Sequence, residues 1–415
     1  MKPISGANHR EGPSFRTGFE KEKQNAGKKV SDLHVAILLE RGTNPTEFNY
    51  SRLRLKEAGI RVTAVGLAQL EYQLEDYSFG YADATIDDVA GQAFDGVLIP
   101  GGLGPEKLRQ NGKIVALVRD CHKRGKMCAA VCHGQQVLIS AGLMKGVHAT
   151  AAWSIIDDLR AVGVIVPPGG RAVRDGQIIT AIFPDDLPEF LRLVLKALAD
   201  LEGWQPPAGY PERLSGQVWG IVADDASDAT QLQYHRLRVQ EEGGTALLLG
   251  RRAGQEIKLS SPAYEWGELG WRANIDRALP NPSVIASCDT EAELYSQSVS
   301  ASQIDGLLLP GGLATWMIRG HPGLRKLIQD MDKAGKPIGA VERGPKLLLS
   351  AGILNGRVIT CGPQMRDDVI QATSPIKYRE DRVVRDLNLL TCQGTEDLPQ
   401  FMRILIDEYG KKLNL

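Results

Sequence analysis

No apolar run in this 415-residue chain approaches the roughly 18 residues that a membrane-spanning helix needs, which excludes a membrane partner. Residues 1–30 are polar and lack the apolar stretch of about 7 to 15 residues that marks a signal peptide. Net charge is almost absent: 49 Lys and Arg against 50 Asp and Glu leave −1, too little for a surface built to grip nucleic acid. Cysteine is scarce, with six residues at 121, 128, 132, 288, 361 and 392 and no C-x-x-C pair, so neither a disulfide scaffold nor a structural zinc site is expected. The thiols read as cytosolic, and the chain as cytoplasmic. A G-x-G-x-x-G fingerprint and a Walker A loop are also missing, which leaves no nucleotide motif and no expected cofactor or metal.

What is present is an internal duplication. IPGGLG at 99–104 returns as LPGGLA at 309–314, and LISAGLMKG at 138–146 returns as LLSAGILNG at 348–356, both at an offset of 210. DDLPEF at 185–190 returns as EDLPQF at 396–401, at 211. A repeat of that length is domain-sized, so two homologous units in tandem are expected. The predicted division is a disordered polar tail over 1–32, a first unit over 33–202, a linker over 203–216 and a second unit over 217–415. The linker contains GWQPPAGYP, whose three prolines and two glycines interrupt regular structure. Within each unit short apolar segments (34–39, 62–65; 218–223, 246–249) alternate with amphipathic ones, predicting two α/β domains, each a doubly wound parallel sheet.

In such a sheet function gathers where strands exit. Three exits stand out in the first unit: the loop 40–47 ending in Glu47, the Pro100-Gly101-Gly102 turn, and KMCAAVCHGQQ at 126–136. The last has the logic of a nucleophile elbow, with Ala129, Ala130 and Gly134 as the small neighbours that a tight strand-to-helix turn requires. Cys132 would sit at the start of the following helix, whose dipole favours thiolate over thiol. Cys132 equally fits a small buried apolar side chain, and Cys128 and Cys121 fit the core. His133 is a candidate imidazole partner, while Glu47 and Glu106 also suit the first turn of a helix for electrostatic reasons alone.

The run AAVCHGQQVLISAGLMKG, with the upstream PGG and downstream DDLPEF, resembles the ThiJ/PfpI superfamily, relatives of class I glutamine amidotransferase domains. The closest pattern is that of tandem members of glyoxalase III type. The resemblance implies flavodoxin-like domains, with a reactive cysteine at Cys132, its histidine neighbour His133, and a carboxylate at Glu47 bonded to the thiol. It further implies Glu106 as the glutamate that a neighbouring subunit directs at the histidine, and the backbone N–H groups of Gly102 and His133 as an oxyanion site. One departure is Asn44-Pro45, where several members place an acidic pair.

The second unit departs further. Cys132, His133 and Glu106 are answered by Glu342, Arg343 and Trp316, and counting back from Gly243 sets Gln231 opposite Glu47. The expectation is a structural half that completes an internal pseudo-dimer, with further homo-oligomerisation open. It also carries about 26 extra residues within 254–287, including Tyr264, Trp266 and Trp271. The leading expectation is a cofactor-independent cysteine enzyme acting on a small reactive carbonyl compound, as a glyoxalase III or deglycase. The same parts suit a cysteine hydrolase or hydratase of an amide, peptide or isonitrile-like group, and a redox-sensing stress chaperone is the reading from a different class.

Overall fold

The computed structural model describes residues 28–68, 70–260, 272–279 and 298–410. The first unit runs β1 (His34–Leu38), α1 (Pro45–Glu57), β2 (Arg61–Gly66), β3 (Glu71–Gln73), β4 (Phe79–Tyr81), β5 (Ala84–Thr85), β6 (Gly96–Ile99) and α2 (Gly104–Leu108). It continues through α3 (Gly112–Lys123), β7 (Met127–Val131), α4 (Gln135–Ser140), α5 (Ile156–Ala161), β8 (Ala172–Asp175), β9 (Ile178–Ala181) and α6 (Leu187–Glu202). Its seven-stranded sheet has the order β5-β2-β1-β6-β7-β9-β8. β1 pairs in parallel with β2 and β6, and β7 with β6 and β9. These central strands are buried on both faces, which is why they read as uninterrupted apolar runs. Each such Val, Ile or Leu contributes on the order of 1.5–3 kcal/mol of burial.

The edge differs from the expected parallel pattern. β8 runs antiparallel to β9, and its sequence AVRD is half-buried throughout, so it carries no apolar run to announce a strand. The β3–β4 hairpin was likewise silent in the sequence.

A second seven-stranded sheet repeats the arrangement, beginning with β10 (Val218–Val222), α7 (Ala229–Glu241) and β11 (Thr245–Gly250). Its centre is parallel too, from β11 through β10 to Gly306–Leu309, Ile338–Val341 and Leu389–Cys392. The fold is thus two tandem flavodoxin-like α/β sheets. Tyr264, Trp266, Trp271 and Cys288 lie outside the described residues.

The units share one hydrophobic cluster, in which Phe48, Leu53 and Phe190 of the first join Leu232, Leu237 and Phe401 of the second. Across this seam α1 and α7 exchange buried polar groups reciprocally. Arg54 Nε donates to Glu241 Oε1 at 2.7 Å, and Arg238 Nε donates to Glu57 Oε1 at 2.8 Å. Tyr50 and Tyr234 hydroxyls donate to those same carboxylates, Glu241 and Glu57 respectively. The pattern Tyr-x3-Arg-x2-Glu occurs at 50–57 and again at 234–241, so the same three side chains meet the seam from each unit.

Candidate active site

The elbow is built from β7 and α4. Cys132 follows the last residue of β7 and takes φ +61°, a left-handed conformation that a non-glycine residue holds only when its surroundings enforce it. Here the Cys132 N–H donates to Ala181 O at 3.1 Å, and Ala152 N donates to Cys132 O at 3.2 Å. Gln135 ties the next turn down, its Nε2 donating to Thr150 O at 2.8 Å and to Ala181 O at 2.9 Å.

Three strand exits close on one another around Gly101. A Cβ there would meet Cys132 Cβ at 2.5 Å, His133 N at 2.8 Å and Glu47 Oε2 at 2.9 Å, so only glycine lets the three segments approach. Gly102 has φ +73°, and a Cβ on it would come within 2.3 Å of Gly42 O. The 40–44 loop is sewn to this turn by Leu103 N to Gly42 O at 2.7 Å and Asn44 N to Gly101 O at 3.0 Å.

α1 begins earlier than the sequence indicated. Asn44 caps it, its Oδ1 accepting from Glu47 N at 3.1 Å, and Pro45 supplies the first turn. Glu47 is thereby turned inward and fully buried. Gly101 N donates to its Oε2 at 2.6 Å, while Oε1 has no donor and the remaining neighbour of the carboxyl is the Cys132 thiol. Burial pushes the Glu47 carboxyl up to about 8, against the pull of the Gly101 amide, so at neutral pH it holds its proton.

The expected thiolate at Cys132 is corrected by the same surroundings. Burial first, and then the Glu47 charge, push the thiol up to about 12, although the N–H groups of Gly102 and His133 both donate to the sulfur and act in the opposite direction. α4 has only six residues and starts at Gln135, so its dipole does not overcome desolvation.

Glu47, Cys132, His133 and Gly102 therefore meet, and Glu106 does not. Glu106 is exposed in the first turn of α2, and no part of it lines the cleft above Cys132. His133 turns aside to Ser154, with Nε2 and Oγ 2.6 Å apart, and its Nδ1 is buried without a partner. The cleft, of about 830 Å³, is lined by Asn44, Glu75, Cys132 and His133, and from α7 by Gln233 and Arg236. Neither Ser154, Glu75 nor the α7 residues were found in the sequence, for they lie on turns or on a helix of the other unit and share no motif with the elbow. Among the described residues no group of three or more His, Cys, Asp or Glu could hold a metal ion, and no helix is long and apolar enough to cross a membrane.

The second elbow keeps the backbone and changes the chemistry. Glu342 takes φ +57°, and its carboxylate accepts from Gln231, from Gly312 N at 3.3 Å and from Arg343 at 3.1 Å. Arg343 also lies over the Trp316 ring.

A doubly wound domain with a positive-φ cysteine at the exit of its fifth parallel strand, facing a buried carboxyl, defines the class of molecule. The sequence profile of the DJ-1/PfpI family matches residues 33–197 and 252–408, and the chain belongs to that family. Protein DJ-1 homolog D of Arabidopsis thaliana is 26% identical over 340 residues, 79% of this chain and 81% of that protein. Deglycase PfpI of Pyrococcus furiosus is 37% identical over 155 residues, covering 37% of this chain and 91% of the relative. Protein/nucleic acid deglycase 2 of Escherichia coli is 40% identical over 116 residues, 28% of this chain and 67% of the relative. Among solved structures, a two-domain Anabaena variabilis protein with DJ-1/ThiJ/PfpI-like and ferritin-like domains is 36% identical, with a TM-score of 0.39, over 40% of this chain and 50% of that one.

Proposed function

We propose that the protein is a cofactor-independent cysteine enzyme that converts a small reactive carbonyl compound, in the manner of a glyoxalase III or deglycase. The observation that carries this reading is the buried, proton-bearing Glu47 set against Cys132 at a strained elbow, with two backbone N–H groups aimed at the same point. A thiol pushed up to about 12 is a poor resting nucleophile, so attack is coupled to loss of its proton: the S–H proton passes to the carbonyl oxygen as the S–C bond forms, while the Glu47 carboxyl keeps its own proton and hydrogen-bonds to the sulfur. The sulfur bonds to the aldehyde carbon of a 2-oxoaldehyde, and the carbonyl oxygen takes its developing charge to the Gly102 and His133 amides. The proton from the thiol ends on that oxygen and gives a neutral hemithioacetal. Glu47, accepting a proton on one carboxyl oxygen as it releases one from the other, or His133, then moves a proton from the first carbon to the second, leaving a thioester of the 2-hydroxy acid. Water cleaves the thioester and restores the thiol, so that overall one aldehyde and one water become one hydroxy acid. The deglycase names of the Pyrococcus furiosus and Escherichia coli relatives support chemistry of this type.

The test is incubation with methylglyoxal, without glutathione or added metal, read as lactate formed, beside Cys132→Ser and Cys132→Ala. The reading requires turnover in the parent and a loss of at least about 100-fold in both variants, since a hydroxyl is a far weaker nucleophile at neutral pH. Turnover of an amide or isonitrile with no action on aldehydes would move the assignment to a hydrolase or hydratase. Stable oxygen gain at Cys132 in dilute peroxide, with no substrate turned over, would instead make it a sensor.

A further inference from the structure

Besides the position of Glu47 and Gln231, and the elbow residue itself, each elbow has one further carboxylate nearby, but on different elements. In the second unit it is Asp228, which caps α7 by accepting from Gln231 N at 2.8 Å and is buried. In the first unit the capping position is the neutral Asn44, and the carboxylate comes from the β3–β4 turn: Asn44 Nδ2 donates to Glu75 Oε2 at 3.0 Å. Backbone contacts fix which residues correspond, because Glu75 N donates to Thr43 O at 3.1 Å as Ser260 N donates to Ser227 O at 2.8 Å. Asn44 with Glu75 therefore answers Asp228 with Ser260. The exchange moves a carboxyl group from a buried cap to an exposed side chain lining the Cys132 cleft.

Glu75 is also a carboxylate of the first unit that no ion pair compensates there. Asp185, the other carboxylate at the cleft edge of the first unit, has Arg236 at 3.5 Å, whereas among the described residues Glu75 is held by the amide of Asn44 and by no cation. Its negative charge reaches both Cys132 and Glu47 and raises the proton affinity of each.

We propose that Glu75 is a specificity-determining residue of the Cys132 site, its carboxylate receiving a cationic or N–H-donating group carried close to the reactive carbonyl and disfavouring carboxylate-bearing analogues. This rests on the reading of Cys132 as the nucleophile and adds to it the charge class of the substrate. A carbonyl attached to an amine or guanidine carries such a group. A 2-oxo acid sets two anions against each other at the cleft.

The experiment compares reagents of different charge at Cys132, read by mass of the labelled peptide. At pH 7.5 and low salt, rates with neutral iodoacetamide, anionic iodoacetate and a cationic trimethylammonioethyl methanethiosulfonate are measured for the parent chain and Glu75→Gln. Comparing reagents cancels any change in thiol acidity, which affects them alike. Glu75→Gln should raise the iodoacetate-to-iodoacetamide ratio about threefold to tenfold and lower the cationic preference, with both effects shrinking at 0.5 M salt. Ratios unchanged by the substitution overturn the proposal. A second arm measures kcat/KM for 4,5-dioxopentanoate, a 2-oxoaldehyde that carries a separate carboxylate, against methylglyoxal: Glu75→Gln should improve the anionic substrate selectively. Charge-selective labelling with no aldehyde turnover would leave the role of Glu75 standing and remove the carbonyl reading, while turnover with unaltered charge preference would do the reverse.

Discussion

Gln231 donates from Nε2 to Glu342 Oε2 across 3.2 Å, while its own Oε1 accepts from Gly311 N at 2.7 Å. Glu47 stands in the same place in the first unit, accepting from Gly101 N and facing Cys132. The second unit thus displays an anion at an elbow met by a side chain that can accept from the glycine amide and donate to the anion at once. For Glu47 to do both, one of its oxygens must carry a proton, which is the state its burial favours.

That comparison gives opposite expectations for two measurements on Glu47→Gln. The amide keeps both hydrogen bonds but removes the charge that Glu47 acquires above about pH 8, so the thiol becomes more acidic and iodoacetamide labels Cys132 several-fold faster at pH 9. An amide cannot carry a proton between carbons, and aldehyde turnover should fall by roughly 100-fold. If turnover survives and His133→Ala removes it, the proton shuttle is His133.

Glu342→Ala is expected to leave turnover within about twofold of the parent. Gln231, Gly312 and Arg343 already satisfy the Glu342 carboxylate, and no thiol remains in that elbow. Steady-state kinetics with intact circular dichroism decides the matter. A large loss of activity would make the second elbow a working site.

The sequence carried the elbow and the PGG turn because both need particular residues: small side chains around Cys132 and none at Gly101. Glu75 was invisible since it is an exposed side chain on a short hairpin whose position depends on two strands pairing. The interface is written in the sequence at a second offset. Tyr50, Arg54 and Glu57 recur as Tyr234, Arg238 and Glu241 at an offset of 184, whereas the elbow repeats at 210, and the difference of 26 is the insertion that lies between them. Self-comparison at one offset hides a match at the other.

Arg54→Met should destabilise the chain by about 3–5 kcal/mol, because it leaves Glu241 buried between two tyrosines with its nearest cation removed. The double variant Arg54→Met with Glu241→Leu should recover most of that loss, since burying neither charge avoids the desolvation cost. Urea unfolding followed by tryptophan fluorescence measures both. Equal instability in single and double variants would place the energy in packing and not in the ion pair.

His235 lies on α7 with both ring nitrogens buried and without partners, edge-on to Phe401 with ring centroids 5.7 Å apart. Burial pushes it down to about 3, from an ordinary value near 6.5, so the folded protein holds it neutral while the unfolded chain takes up a proton. Its contribution to stability is complete above about pH 6.5 and declines as pH falls, by about 2 kcal/mol between pH 7 and pH 5. Glu47 and Asp228 act in the opposite sense over the same range: burial raises them to about 8 and about 7, so acidification from neutral pH stabilises the fold through them. Glu242, held down to about 2 beside Arg238 and Arg213, loses its contribution only below about pH 4.5. The parent pH profile therefore mixes opposing trends, and the difference from His235→Leu isolates the histidine. That variant should gain about 2 kcal/mol relative to the parent on going from pH 7 to pH 5, measured by urea unfolding at each pH. A pH-independent difference would mean that His235 is protonated in the folded state or finds a hydrogen-bond partner there.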